Sequence, residues 1–114
     1  MTIARAIAAL DEQKPNTATQ EQKLTWLTKV ELEVLAYEGR EPVGYGPETD
    51  PETALLLPEC FCDAYLYWMG AQIDLWNREY AGYNNLITLY NREMARFRAA
   101  FVRQNRAQSG GFTL

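Results

Sequence analysis

Histidine is absent from this 114-residue chain, cysteine occurs twice, and no apolar run approaches the roughly 18 residues that a membrane-spanning helix needs. Each shortage removes a class of function. Without histidine the chain lacks the commonest general base and metal ligand, and two thiols alone do not complete a zinc site. Cys60 and Cys62 stand two apart in a segment read as helical, so their side chains point about 200° apart and cannot bridge. They read as ordinary thiols of a reducing compartment. No glycine-rich phosphate loop follows a strand, and neither a GxSxG elbow nor an HExxH pair occurs. The carboxylate pairs Glu31 with Glu33 and Asp63 with Asp74 have helical spacings that put neither pair together on one face. No catalytic residue, cofactor or metal is therefore expected, and the chain does not read as an enzyme. The opening Met1-Thr2-Ile3-Ala4-Arg5 lacks the long apolar stretch of a signal peptide, so the expected location is the cytoplasm, off the membrane.

What remains is an ordinary globular balance: 47% hydrophobic, 12% aromatic and 23% charged residues. A chain of this length forms one domain and buries roughly two-thirds of its unfolded surface. The apolar spacing is helical throughout, which makes the expected fold all-α: a small bundle of about four helices with a long central helix hairpin. Thr2 can cap a first helix carrying Ile3, Ala6, Ile7 and Leu10, which Lys14-Pro15-Asn16 ends. Thr19 with Gln22 makes a capping box for a second helix running to Gly39. A long segment from Gly39 to Leu57 follows, with the acidic run Glu48, Asp50 and Glu52, and Asp50-Pro51-Glu52 suits one short turn. Loops this long inside small domains are uncommon unless functional. Pro58 is expected to open the third, central helix, Ala81-Gly82 to break it, and Asn84 to cap a fourth helix with a stripe of Leu86, Ile87, Tyr90, Met94, Phe97 and Phe101. Gln72, between Trp68 and Trp76 on the central helix, is expected to be buried and hydrogen-bonded to another helix or subunit. Beyond Asn105 the periodicity lapses, giving a helical domain over residues 1–105 and a flexible tail over 106–114 that a partner would order.

Two features point to packing against other subunits. Helices two and three carry apolar arcs of half their circumference or more, whereas a bundle helix needs a stripe of about 100°. Three tryptophans and seven tyrosines are available as anchors at such contacts. Charge is also split: residues 1–77 hold five Lys/Arg against thirteen Asp/Glu, a net of −8, while residues 78–114 hold six Arg against Glu79 and Glu93, a net of +4. Such a split serves a nucleic-acid tail, pairing of helices within the chain, or head-to-tail contact between copies. Readout of nucleic acid is disfavoured because Tyr83, Tyr90 and Phe97 sit on the stripe opposite the arginines, and the isoelectric point is near 4.8. Arg92, Arg96 and Arg103 are therefore assigned, with Trp26, Glu31 and Glu33, to contacts between copies.

The order of signals resembles a known family. Thr-Ile-Ala opens a short helix, Lys-Pro-Asn precedes the next, and Lys-Leu-Thr-Trp-Leu lies within it. Asp50-Pro51-Glu52-Thr53, Leu55-Leu56-Leu57-Pro58-Glu59 and Ala71-Gln72-Ile73-Asp74 then lead to Glu79-Tyr80 and Tyr83-Asn84-Asn85. Together, over nearly residues 1–100, they look like the small head-tail connector proteins (adaptor or head-completion proteins) of long-tailed phages and prophages. The resemblance implies an α-helical adaptor, assembled as a dodecameric ring beneath the portal, joining head to tail around DNA that only passes through. Its implied partners are further copies, the portal protein and another neck or tail-completion protein; its implied place is the virion neck, after assembly in the bacterial cytoplasm. On that basis Tyr45, Glu48 and Asp50 would face the channel or the next ring, and Arg106, Phe112, Thr113 and Leu114 would bind the portal or a neighbour. Two other readings stay open. A small terminase subunit should offer a basic N-terminal helix-turn-helix, where this chain is acidic, and a small helical regulator or inhibitor of a mobile element would be a monomer or dimer.

Overall fold

A computed structural model gives the architecture and describes residues 1–109. Four helices form it: α1 (Ile3–Gln13), α2 (Gln20–Glu38), α3 (Asp63–Trp76) and α4 (Tyr80–Ser109), with a 3-10 turn at Glu59–Phe61. Among the described residues there is no strand, only one isolated bridge between Thr2 and Ala54. The fold is an all-α bundle whose spine is the antiparallel α3–α4 hairpin. Its direction shows in the pairings: Gly82 backs onto Asp74, Tyr90 meets Trp68 at 5.1 Å between ring centroids, and Phe97 meets Phe61 at 5.9 Å.

The helix starts follow the expected chemistry. Thr2 Oγ1 accepts from Arg5 N, and Thr19 and Gln22 form the full reciprocal capping box, with Gln22 N donating to Thr19 Oγ1 at 3.1 Å and Thr19 N to Gln22 Oε1 at 2.8 Å. Ile3, Ala6, Ile7 and Leu10 are all buried, as their spacing requires. The ends of α2 and α3 are closed by the same device. After α2, Arg40 N donates to Leu35 O and Gly39 N to Ala36 O, with Gly39 at φ 70°. After α3, Glu79 N donates to Asp74 O and Arg78 N to Leu75 O, with Arg78 at φ 59°. Both are Schellman motifs, but glycine holds the left-handed position in one and arginine in the other.

That arginine moves two expected boundaries. The hairpin turns at Asn77-Arg78-Glu79, and α4 runs through Ala81-Gly82 without a break and without a cap at Asn84. Gly82 serves packing instead: a Cβ there would overlap the Asp74 carboxylate, which is buried and bonded to Lys14 Nζ at 2.7 Å. At the start of α3, Pro58 precedes the 3-10 turn and the α-helix proper begins at Asp63. Cys60 is exposed and Cys62 buried, with burial pushing the Cys62 thiol above its usual range.

The far end of α4 corrects a third boundary. The helix passes through Arg106 to Ser109, so the expected break at Asn105 is not there. Loss of an apolar stripe does not end a helix when the residues are Arg, Ala and Gln, all strong helix formers. At 30 residues α4 is about 44 Å long. Its first half lies against α3, while Phe97 and Phe101 pack edge-on against Tyr37 of α2.

The long segment between α2 and α3 is stitched down rather than free. It caps α1: Thr53 O accepts from Ile3 N at 3.0 Å and Pro51 O from Ala4 N at 2.9 Å, filling orphan amides of the first turn. Leu55 N donates to Met1 O, and the terminal amine pairs with Glu59. The turn expected at Asp50-Pro51-Glu52 is present, closed by Thr53 N donating to Asp50 O and Glu52 N to Asp50 Oδ1.

Candidate protein interface

Glu31 organises the inner side of this segment. Its carboxylate is fully buried and takes three donors: Tyr65 Oη at 2.5 Å on one oxygen, and Tyr45 Oη at 2.6 Å with Leu56 N at 2.9 Å on the other. Tyr65 Oη in turn accepts from Leu57 N at 2.9 Å, and Thr28 Oγ1 accepts from Tyr45 N at 2.9 Å. Burial, with the adjoining Glu31 charge, pushes the Tyr65 and Tyr45 phenols well above their usual range. These contacts overturn two expectations. Glu31 cannot meet a neighbouring copy, because its own tyrosines and a backbone amide enclose it. Tyr45, expected to face outward to a channel or the next ring, is half-buried with its hydroxyl turned inward onto Glu31, whereas Glu48 and Asp50 are exposed.

Glu33 is half-buried and accepts from Tyr90 Oη at 2.6 Å, which ties α2 to α4 inside the chain. Arg96 pairs with its own Glu93 and lies over the Phe61 ring, 5.5 Å from its centroid, so it too is engaged within the chain. Arg92, Arg103 and Arg106 are exposed and have no partner among the described residues. With Arg96 they fall within about 80° of one face of α4, opposite Tyr90, Met94 and Phe97. In the segment after α2, Glu41, Glu48 and Glu52 are likewise exposed. Phe112, Thr113 and Leu114 lie outside the described residues.

The surplus apolar residues expected from the wide arcs of α2 and α3 converge at one place. Trp26 of α2, Leu75 and Trp76 of α3, and Tyr80 of α4 line an open groove of about 500 Å³ together with Gln22 and Gln72. Trp76 is 56% exposed, Tyr80 57% and Leu75 42%, which makes this end the most open concentration of large apolar side chains on the described surface. Gln72, expected to be buried and bonded, is half-buried at the groove and makes no hydrogen bond to a described residue. Arg78, the arginine in the left-handed turn, stands at its edge. On its other side Trp76 borders a second cleft, with Pro15, Thr17 and Asn77.

The chemistry of this surface is adhesive. It has large rings with polar tips, a free amide and one cation, which is the composition of an interface centre. Among the described residues no three His, Cys, Asp or Glu side chains gather as a metal site, and no helix is long and apolar enough to cross a membrane. No family model matches the chain, and no curated protein or solved structure is significantly similar to it. Of the groove residues, sequence reasoning singled out Trp26 as a contact between copies and Gln72 as bonded to another helix or subunit. The signal for the others was the excess of arc width, which says that some apolar residues are left over without saying which.

Proposed function

We propose that this chain is a non-catalytic structural subunit of the phage neck, a head-tail connector that assembles as a ring beneath the portal and joins head to tail around the DNA channel. The observation that carries the assembly half of this reading is the groove of Trp26, Leu75, Trp76 and Tyr80. A bundle whose core is otherwise filled leaves two of its largest rings more than half exposed there, and fully buried aromatic anchors are what subunit contacts use. The neck half rests on the ordered sequence signals described above. The basic face of α4 and the exposed acids Glu41, Glu48 and Glu52 supply complementary patches for a heterologous contact, the kind that closes into a ring when repeated.

Native mass spectrometry and electron microscopy of the purified chain, alone and with a portal protein from the same phage or prophage, test this directly. Ring-shaped particles with one fixed copy number, retained on the portal, are expected. A chain that stays monomeric under both conditions refutes the reading.

A further inference from the structure

The geometry points to an occupant for the Trp76 groove: the segment Gly110–Leu114 of a neighbouring copy, seated with Phe112 and Leu114 as its anchors. This rests on the assembly half of the proposed function and names the contact.

The reach of the chain carries the argument. The groove lies at the start of α4, where Tyr80 lines it, and Ser109 closes the same helix, about 44 Å away at a rise of 1.5 Å per residue. Phe112 is three residues past Ser109 and Leu114 five, so fully extended chain carries them at most about 18 Å from it. A copy cannot fill its own groove with these residues; another copy can. One end of each molecule then serves the other end of the next, a head-to-tail contact whose two surfaces differ.

The chemistry of the two parts agrees. Ala107–Leu114 carries no charged side chain, and its two large apolar residues stand at i and i+2, which face the same way when the chain is extended. The groove offers Trp26, Leu75, Trp76 and Tyr80 to such a pair, and the Gln72 amide, with two donors and an acceptor, to its backbone. Arg78 gives a second sign that this rim is shaped for contact. An arginine holds a left-handed position at φ 59° where glycine closes the equivalent turn after α2, and its side chain borders the groove.

A mixing experiment on the full chain tests the assignment. Trp76→Glu disables the groove, with Tyr80→Glu as a second groove variant, and Phe112→Glu with Leu114→Glu disables the segment; circular dichroism selects the variants that keep the parental helix content. Each variant alone is expected to be monomeric by native mass, and an equimolar mixture to give dimers and nothing larger, because one intact groove then meets one intact segment. If the parent assembles and the Phe112/Leu114 variant assembles equally well, this inference falls while the assembly reading stands. A folded mixture that stays monomeric also overturns it, as does a Phe112/Leu114 variant that self-assembles normally but no longer holds the portal. A parent that stays monomeric both alone and with the portal protein removes both.

Discussion

Around Glu31, two phenols and a backbone amide converge on one carboxylate that solvent does not reach. Where α3 ends and α4 begins, Trp76 and Tyr80 leave their rings in water beside Gln72, whose amide has no partner among the described residues. The two regions draw on the same residue types, aromatic and polar, and lie on faces of the same helix pair. Tyr65 and Trp76 are eleven residues apart on α3, or about 16 Å. At the first region every strong donor is matched, so its aromatic residues contribute to folding of the single chain. At the second they contribute little to the isolated chain and remain available to something else. Burial and partnering, rather than residue type, separate the aromatic residues that hold this fold from those that can recognise a partner.

The largest effect that this contrast predicts comes from removing Glu31. Glu31→Ala strands the Tyr45 and Tyr65 hydroxyls and the Leu56 amide and opens a cavity, which should cost about 3–5 kcal/mol. That is a large part of the roughly 5–15 kcal/mol that holds a domain of this size. Glu31→Gln keeps the shape and one acceptor oxygen and should lose less. Urea unfolding followed by circular dichroism measures both, and a Glu31→Ala protein as stable as the parent would show that the cluster does not hold the fold.

The same cluster should make stability fall in alkali. The Tyr65, Tyr45 and Tyr90 phenols are all raised above 10.0, chiefly by burial and then by Glu31 or Glu33. Above pH 10 an unfolded chain releases these protons and the folded chain keeps them, so the folded state binds more protons and loses stability as pH rises. Their contribution is complete below the unfolded value of 10.0 and disappears above it, by about 1.4 kcal/mol per pH unit for each phenol held neutral. Urea midpoints between pH 9 and 11 should fall steeply, and less so in Tyr90→Phe. Equal slopes in parent and variant would remove Tyr90 from the account.

Away from the groove, Gly82 packs against Asp74, which is paired with Lys14, and so joins α4 to α3. Gly82→Ala drives a methyl into the Asp74 carboxylate. The overlap should cost about 1–3 kcal/mol, offset by about 1 kcal/mol of better helix propensity. The expected net is a loss of about 1 kcal/mol, read as a lower melting temperature. A gain instead would mean that Asp74 moves aside freely.

The helices were legible in the sequence because local rules decide them: Thr2, Thr19 with Gln22, Pro15 and Gly39 each act within one turn of themselves. The hairpin turn was not. Gly82 carries the ordinary mark of a helix end, yet it is spent on close approach to Asp74, and the turn is made by Arg78, which nothing local would nominate. The candidate interface was legible as a surplus but not as a place, since periodicity gives the width of an apolar arc and tertiary packing decides which part of it stays bare. Glu31 failed for the converse reason. An acid on a helix reads as surface, and the phenols that enclose it come from residues 45 and 65, distant in sequence.

The smallest expected effect sharpens the comparison most, because it should reverse sign between the turn that Arg78 makes and the contact proposed at its groove. At Arg78 the backbone holds φ 59°, a conformation that costs a side-chain-bearing residue about 1–2 kcal/mol and glycine almost nothing. Gly39 closes α2 with the same two hydrogen bonds and carries no such strain. Arg78→Gly should therefore leave the turn unchanged and relieve the strain. The greater freedom of glycine in the unfolded chain takes back part of that, leaving a gain of about 0.5–1 kcal/mol. The guanidinium at the groove edge disappears with the same change, so assembly should weaken while the melting temperature rises. Thermal unfolding and native mass on one preparation read both quantities. A variant that gains stability and assembles as the parent does would make the arginine an accident of the turn, and one that loses stability would show that the Arg78 side chain holds the hairpin rather than serving the interface.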